Sequence, residues 1–215
     1  MPEQFVDPYL DSATGVLRNL LGASTYAELR NAEGEFVALR MNEFFERPIP
    51  RMTGTLNDFC VLHQTLFQDI YDWAGKVRTV EIRKNTDGAE YFLPSANIPL
   101  GMEWSRTELE KDGMLAGMHL CDFAQHLAYH YDNYNFVHPF REGNGRVQRL
   151  FWTLLCHKAG YDLDWRTVSG KENDEASRLA AENRDFRALE DIFKRISTPC
   201  DPDTPINRDL LTLSH

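Results

Sequence analysis

Residues 138–149 read HPFREGNGRVQR and stand between two strongly apolar stretches, DFAQHLAYHYDNYNFV before and RVQRLFWTLLCHKAG after. Gly143, Asn144 and Gly145 come directly before the second of these helical patterns. Two glycines around an asparagine allow successive backbone N–H groups to point into one concavity, and the following helix adds its own N–H groups and positive dipole end. The stretch predicts a helix–loop–helix with an anion cradle suited to the phosphates of a nucleotide.

The side chains around this cradle suit attack on phosphorus. Arg146 starts the helix and Arg149 follows one turn later, so both can face the same phosphates. A carboxylate such as Glu142 beside an anion site implies a cation between them, and Mg²⁺ is the economical choice. A neutral His138 can take the proton from an attacking hydroxyl. Singly, each feature is usually structural, and Phe140 is expected to anchor the loop in the core, but their joint occurrence favours phosphoryl chemistry.

The same stretch resembles the Fic family motif, H-x-F-x-(D/E)-G-N-G-R-x-x-R, at every specified position. The segment LHQTLFQDIYDWAGKVRTVEI at 62–82, GVLRNLLG near the N-terminus and AENRDFRALEDIF near the C-terminus are also similar to the family. The resemblance therefore covers nearly the whole chain. It implies a Fic domain over residues 1–197, with a flap hairpin at about 76–94 and the active-site loop at 138–149, followed by a tail at 198–215.

The resemblance also implies an activity, protein adenylylation, in which AMP moves from ATP to a Ser, Thr or Tyr hydroxyl of a target protein and pyrophosphate leaves. His138 would be the general base, and Glu142 would hold Mg²⁺ against the α- and β-phosphates. Arg146 would contact the β-phosphate region and Arg149 the γ-phosphate, while Asn144 would add a side-chain donor. The nucleotide-binding residues would be Gly143, Asn144, Gly145, Arg146 and Arg149.

A hairpin is expected before the motif. KVRTVEIRK at 76–84 alternates like a short strand, Asp87 and Gly88 supply a turn, and EYFLP offers a return strand. The resemblance implies that this flap docks an extended segment of the target by strand pairing. Lys84, Asp87 and Phe92 are the residues expected to meet the target.

Other activities of the fold stay open. Family members that phosphorylate carry Lys where this chain has Gly145, so AMP transfer is favoured. Phosphocholine or UMP transfer remains an alternative because the motif reads phosphates and not the base, and a catalytically silent interaction module would need a broken motif. His126 and His130 are spaced like zinc ligands, but Leu127 stands where a metalloprotease needs its glutamate, so helix packing is the favoured interpretation.

Regulation is predicted to come from a second protein. Fic enzymes are often silenced by a helix resembling (S/T)-x-x-x-E-(G/N), whose glutamate pairs with the second arginine of the motif. Glu33-Gly34 has Leu29 at the first position, and the remaining Glu-Gly and Glu-Asn pairs fail likewise. A small antitoxin-like protein is therefore expected to supply a glutamate to Arg149, as for a toxin or a secreted effector.

Composition limits the other possibilities. The 215 residues include 33 acidic and 23 basic ones, a net charge of −10 that disfavours general binding to nucleic acid. No apolar run is long enough to cross a bilayer, and MPEQFVDPYL lacks a signal-peptide pattern. The four scattered cysteines indicate reduced thiols. We expect a protein of the bacterial cytoplasm, with later export into a host cell as the second option.

The remaining pattern is mainly helical. Helices are expected at 12–22, at 24–45 behind a Thr25–Glu28 capping box, from about Phe59 to Ile70, through 109–137, from 146 to Gly160, and at 172–196. The predicted fold class is thus a mainly α Fic-type helical bundle with a short β-hairpin flap near the active site.

Overall fold

The computed structural model describes residues 7–83 and 91–211. This part of the chain is mainly helical, as predicted, and carries one small antiparallel sheet. The strands are β1 (Tyr161–Leu163) and β2 (Ser197–Pro199). The helices are α1 (Tyr26–Phe45), α2 (Leu56–Phe67), α3 (Ile98–Lys111), α4 (Leu120–Val137), α5 (Asn144–Ala159), α6 (Gly170–Asn183) and α7 (Arg187–Ile196).

Helix α5 forms the centre of the bundle. Every residue from Val147 to His157 is buried, so this helix is enclosed on all sides. It packs against α2 and α4, and α4 in turn packs against α3, α6 and α7. Trp152 and Phe151 of α5 are fully buried in the same aromatic core as Tyr134 of α4. The N-terminus of α5 is therefore held rigidly, and its position decides where the cradle lies.

Two capping boxes begin the helices that flank this core. Thr25 and Glu28 cap α1 reciprocally, which confirms the predicted box, and Thr55 and Asp58 do the same for α2. In each box the threonine hydroxyl accepts from a backbone N–H that has no partner inside the helix. None of the helices in residues 7–83 and 91–211 combines the length and apolarity that a membrane span requires.

The predicted helix at 12–22 is wrong. The Asp11 carboxylate accepts from the N–H groups of Ala13 and Thr14, and the Asn19 side chain bonds the main chain at four points between residues 17 and 23. Gly15 and Gly22 have φ values of 70° and 71°. These local side-chain bonds and left-handed glycines satisfy the backbone without a helix.

The predicted flap is described only at its base. Arg83 and Tyr91 form an isolated antiparallel bridge, and the N–H of Phe92 donates to the carbonyl of Ile82 at 3.1 Å. The two arms therefore run antiparallel, although residues 76–83 form no regular strand and the sheet of the described chain lies elsewhere. Lys84 and Asp87 lie outside the described residues.

The C-terminal stretch predicted as one helix is two. Arg184 has a φ of 54°, which ends α6 in the left-handed conformation, and α7 begins three residues later. After α7, β2 pairs with β1 in the register Tyr161–Pro199, Asp162–Thr198 and Leu163–Ser197. The chain is thereby held against the C-terminal end of α5 as it leaves the last helix.

The capping role of Thr55 at the start of α2 can be tested by substitution. We expect Thr55→Ala to lower the free energy of unfolding by about 1 kcal/mol, because the N–H of Asp58 loses its side-chain acceptor and keeps only the Thr55 carbonyl at 3.1 Å. Thr107→Ala is the matched control, since that hydroxyl bonds a carbonyl within α3, and its effect should stay within about 0.5 kcal/mol. Urea denaturation of both variants checks this, and an equal loss in both would contradict a capping role.

Candidate active site

The loop between α4 and α5 starts at a residue with unusual backbone geometry. His138 ends α4 in the left-handed conformation with a φ of 46°, which is uncommon for a residue with a side chain. Its Nδ1 lies 3.1 Å from the carbonyl oxygen of Asn135, an atom that can only accept. Nδ1 therefore carries the proton, and the lone pair of the neutral ring is on Nε2. The ring stacks on Phe92 at 3.8 Å between centroids.

Arg78 fastens this corner to the base of the flap. Its guanidinium is fully buried, and its backbone N–H donates to the carbonyl of Pro139 at 2.9 Å. The guanidinium also donates to four main-chain carbonyls that come from both flap arms and from the end of α4. These are the carbonyls of Val80 (2.7 Å), His138 (2.8 Å), Val137 (3.4 Å) and Leu93. A single side chain thus fixes the backbone of His138 relative to the flap.

Phe140 anchors the middle of the loop, as predicted. It is fully buried and stacks on His63 at 4.0 Å. The amide of Asn144 brackets it: Oδ1 accepts from the N–H of Phe140 at 2.8 Å, and Nδ2 donates to its carbonyl at 2.7 Å. Asn144 was expected to give a side-chain donor to phosphate, but here both polar atoms of that side chain close the loop. Its backbone N–H, at the start of α5, remains the group that can meet a ligand.

His63 supports the loop from beneath. The N–H of Gly75 donates to Nδ1 at 2.8 Å, so Nε2 carries the proton and donates to the carbonyl of Glu142 at 3.1 Å. Burial lowers the pKa of His63 to about 3, an effect only partly opposed by the bond to the Glu142 carbonyl. The ring is therefore neutral at physiological pH and acts as a fixed bridge between α2 and the loop.

The two glycines of the motif have different surroundings. Gly143 has a φ of 82°, and a Cβ built on it would lie 2.5 Å from Cζ of Phe67, so neither the backbone nor the space allows a side chain. Gly145 is exposed, its φ is not in the left-handed region, and a Cβ there meets nothing within 4 Å. Packing and backbone conformation require Gly143 but not Gly145, where the bare backbone opens onto the cradle.

The cradle itself is the N-terminus of α5. Gly143 is the N-cap and gives α5 no side-chain cap, and the first intrahelical bond runs from the N–H of Val147 to the carbonyl of Gly143. The N–H groups of Asn144, Gly145 and Arg146 precede that bond, at the positive end of the helix dipole. This arrangement suits a phosphate group.

Acidic groups surround the first arginine. Arg146 Nη2 lies 2.9 Å from Glu33 Oε2 and 3.3 Å from Glu142 Oε1, and its guanidinium sits 4.7 Å from the centroid of the Phe67 ring. Glu33 is buried on α1 and also accepts from the Tyr71 hydroxyl. Burial and the neighbouring Glu33 charge raise the pKa of Tyr71, so the phenol stays a donor. Arg146 is thus positioned before any ligand arrives.

Glu33 belongs to the Glu-Gly pair that fails the inhibitory pattern. In the structure its partner is Arg146, the first arginine of the motif. Arg149 is nearly buried, and its guanidinium lies 5.7 Å from the ring centroid of Trp165. The two arginines share one helix but have different neighbours.

Glu142 has the features that a magnesium ligand needs. Its side chain is 44% exposed at the mouth of the cradle. Its Oε1 accepts from the N–H of Gly143 at 3.0 Å and from Arg146. A hard carboxylate oxygen beside a phosphate-binding helix N-terminus is the usual protein contribution to a Mg²⁺–nucleotide site. The residues present therefore fit the metal.

Sequence reasoning placed the motif but missed three supporting residues. Glu33 interrupts the buried face that Leu29 and Val37 form on α1, and a charged residue at such a position signals a buried partner. His63 lies in the stretch from Phe59 to Ile70, for which the sequence predicts only a helix. Arg78 had no sequence signal except its place in an alternating segment, where it takes an inward position.

Comparison with known proteins agrees with this geometry. The model of the Fic/DOC family matches residues 53–156. The chain is 35% identical over 189 residues to the probable protein adenylyltransferase Fic of Salmonella typhimurium, covering 88% of this chain and 91% of that protein. It is 37% identical over 172 residues to the protein adenylyltransferase VbhT of Bartonella schoenbuchensis, covering 80% of this chain and 35% of VbhT.

A solved structure shares the fold. The BepC protein of Bartonella tribocorum, a VirB-translocated effector crystallised with AMPPNP, superposes with a TM-score of 0.81. The match covers 90% of this chain and 97% of that one at 23% identity, which supports the common architecture. The mainly helical fold class is thereby confirmed.

The contrast between the glycines gives the first prediction for the site. Gly143→Ala should cost about 2 kcal/mol or more, because it combines a left-handed backbone with a clash against Phe67. Gly145→Ala should be neutral or stabilising by up to about 1 kcal/mol, since alanine favours the helix and meets nothing. Thermal and urea denaturation test this, and similar losses for both variants would contradict the assignment.

His63 makes stability depend on pH. Its folded pKa of about 3 lies below the ordinary value of 6.5, so between these values the unfolded chain binds a proton that the folded chain does not. Its contribution is therefore complete above pH 6.5 and falls on acidification, by about 2 kcal/mol at pH 5. Asp132, whose pKa burial raises to about 6, acts in the opposite direction.

A variant separates the two groups. We expect His63→Gln to be less stable than the wild type at pH 7 but to lose less stability between pH 7 and pH 5. Urea denaturation at both pH values measures the difference. An unchanged pH dependence in the variant would show that the ring is not the group responsible.

Proposed function

This chain belongs to the Fic/DOC family, and from that premise we propose that it is a protein adenylyltransferase. It transfers AMP from ATP to a Ser, Thr or Tyr hydroxyl of a target protein. The hydroxyl oxygen forms a bond to the α-phosphorus, the bond from that phosphorus to the α,β-bridging oxygen breaks, and pyrophosphate leaves. The hydroxyl proton passes to His138. Curated relatives that align with most of this chain carry the name protein adenylyltransferase, which supports the reaction class.

The observation that carries the proposal is the open backbone at Gly145. Neither its φ nor its packing calls for glycine, and it stands at the uncapped N-terminus of α5. A nucleotide phosphate can approach the amides of Asn144 and Gly145 there, whereas the N–H of Gly143 donates to Glu142 Oε1 at 3.0 Å. A lysine at this position would fill that space, which favours AMP transfer over phosphate transfer.

The proton acceptor is Nε2 of His138. The hydrogen bond from Nδ1–H to the Asn135 carbonyl fixes the tautomer with a basic Nε2. Stacking on Phe92 and the bond from Arg78 to the His138 carbonyl hold the ring in place. Such pre-positioning places the base at the corner where the flap meets the cradle.

The charged residues take the nucleotide. Glu142 would hold Mg²⁺ beside the nucleotide phosphates, where the ion would supply positive charge against the negative charge of the triphosphate. Arg146 binds the β-phosphate region and Arg149 the γ-phosphate. Arg146 is already oriented by Glu33 and Phe67, so little side-chain freedom is lost when ATP binds.

The target docks along the flap. An extended segment of the target pairs with the arm that includes Phe92, next to His138, and Lys84 and Asp87 contribute to selection. The arms run antiparallel at their base, which is the geometry that strand addition requires. If substitutions at Lys84 and Asp87 leave the target preference unchanged, these residues do not select the target.

Control comes from a separate small protein. In this proposal an antitoxin-like partner supplies a glutamate to Arg149, while Glu33, the glutamate of the Glu-Gly pair on α1, is engaged with Arg146 and Tyr71. The chain acts in the bacterial cytoplasm as a toxin, with delivery into a host cell as the second setting. VbhT and the BepC protein, a VirB-translocated effector, come from bacteria of one genus.

The proposal is tested with labelled ATP. The purified chain is incubated with Mg²⁺, α-labelled ATP and bacterial or host-type lysate, beside His138→Ala. We expect label on a discrete protein band, and a loss of about 10²–10⁴-fold in the variant because the general base is gone. Gly145→Ala should remain folded yet transfer more than about tenfold less, because its methyl group occupies the phosphate approach.

Other outcomes contradict the proposal. Label transferred from γ-labelled ATP would mean phosphorylation. Transfer from neither labelled ATP, with the wild type folded, would mean that ATP is not the donor. Full activity in Gly145→Ala would show that the open backbone is not where phosphate binds.

A further inference from the structure

A second cluster of chemically capable side chains lies at the other end of α5. His157 is in the last turn of α5, Asp162 is in β1, and Cys200 follows β2. The pairing of the strands, extended by a bond from the N–H of Cys200 to the carbonyl of Gly160 at 2.9 Å, brings the three together. His157 Nδ1 lies 2.7 Å from Asp162 Oδ1 and 3.5 Å from Cys200 Sγ. Three different ligand types therefore converge on one point.

The orientation of the imidazole is fixed from its far side. His157 Nε2 lies 2.8 Å from the carbonyl oxygen of Thr204, which can only accept, so Nε2 carries a proton. A metal-binding histidine almost always donates its other N–H to a carbonyl or carboxylate in this way. Nδ1 is left to face Asp162 and Cys200, where it either holds a second proton or directs its lone pair at a cation.

We propose that His157, Asp162 and Cys200 form a binding site for Zn²⁺, in which the protein supplies one nitrogen, one oxygen and one sulfur ligand and water supplies the fourth. Binding forms the metal–sulfur, metal–nitrogen and metal–oxygen bonds, and the thiol proton and any proton on Nδ1 go to solvent. A nitrogen, a sulfur and an oxygen ligand together favour Zn²⁺, whereas Mg²⁺ and Ca²⁺ bind almost entirely through oxygen ligands.

The distances suit this ion. Zinc bonds of about 2.0–2.1 Å to nitrogen and 2.3 Å to sulfur hold the two atoms about 3.5 Å apart in a tetrahedral site. Nδ1 and Sγ are already 3.5 Å apart. The separation of Nδ1 and Oδ1 has to widen from 2.7 Å by about 0.7 Å, a shift that the partly exposed Asp162 side chain can make.

The charges of the cluster also suit a cation. The ligand atoms of Asp162, Cys200 and His157 all lie within 4.8 Å of one another. A divalent ion there would neutralise the carboxylate and take the sulfur as thiolate. His157 is buried, whereas Asp162 is 20% exposed on its side chain and Cys200 is partly exposed, so the site has a path to solvent.

The position of the cluster indicates what zinc does there. His157 is 13 residues along α5 from Asn144, about 20 Å from the cradle, so the ion takes no part in the transfer reaction. Thr204 and Cys200 belong to the segment that follows β2. Bound zinc ties that segment to the central helix and stabilises the fold.

A second group of potential ligands serves as the comparison. Asp112 Oδ2 lies 2.7 Å from His126 Nδ1 and 2.8 Å from His130 Nε2. Both rings lie within hydrogen-bond distance of the same carboxylate oxygen, while Nδ1 of the buried His130 has no hydrogen-bond partner among the described residues. This second group lacks a thiol, which makes the two groups spectroscopically distinguishable.

The experiment uses Co²⁺ as a probe on the full chain after removal of bound metals with a chelator. A thiolate ligand gives Co²⁺ a charge-transfer absorption band. We expect the band in the wild type and in the control Cys121→Ser, whose thiol is exposed and outside the cluster. Cys200→Ser should lose it. Absence of the band in the wild type, or its persistence in Cys200→Ser, would overturn the proposal.

A second measurement does not depend on the thiol. Zn²⁺ should raise the thermal midpoint of the wild type, and Asp162→Asn should weaken zinc binding by more than about tenfold. Asp112→Asn, the matched change in the other cluster, should leave the shift unchanged. An equal shift in the wild type and Asp162→Asn, or a shift lost only in Asp112→Asn, would place the metal elsewhere.

Discussion

The loop between α4 and α5 is buried at Pro139, Phe140 and Gly143, and the main-chain polar groups that are shielded from water there need partners within the protein. The rest of the site depends on that constraint. The guanidinium of Arg78 donates to the carbonyls at the end of α4, the Asn144 amide pairs with the main chain of Phe140, and His63 donates to the carbonyl of Glu142. None of these three side chains carries out the proposed reaction. They hold the backbone from which His138, Glu142 and the α5 amides project.

This division of labour explains why the motif contains residues of such different kinds. Gly143 is required by its left-handed backbone and by the ring of Phe67, whereas Gly145 is required by neither. Asn144 faces inward and shapes the loop, although it stands between them. A twelve-residue stretch thus combines positions fixed by folding with positions left open for a ligand. Substitutions at the two kinds of position therefore affect stability and activity separately, because folding depends on one set of atoms and ligand binding on another.

Electrostatics pre-arrange the site before ATP binds. Glu33 on α1 forms an ion pair with Arg146, and the Tyr71 hydroxyl donates to the same carboxylate. The positive charge of Arg146 and the negative charge of Glu33 therefore balance each other. The net charge of −10 gives no information on this arrangement, because it sums the charges of the whole chain and does not show which of them form buried pairs. In the proposed site, the helix N–H groups and two local arginines would attract phosphate on an otherwise acidic body.

The sequence by itself determined the helical class, the apolar helix α5, the capping box of α1 and the loop motif that resembles the Fic family. These follow from short-range periodicity and from one contiguous motif, where neighbours in sequence are neighbours in space. It misjudged residues 12–22, because asparagine and aspartate side chains satisfied the backbone that a helix would have used.

Only the tertiary structure decided the contacts between distant segments. Glu33 reaches Arg146 across 113 positions, Arg78 reaches His138 across 60, and the three residues that pair with β1 lie beyond α7. Each side chain looked ordinary in its own segment, since a periodic pattern tells which face is buried and not what it meets. The cluster of His157, Asp162 and Cys200 exists for the same reason: the fold joins residues whose spacing along the chain carries no metal motif.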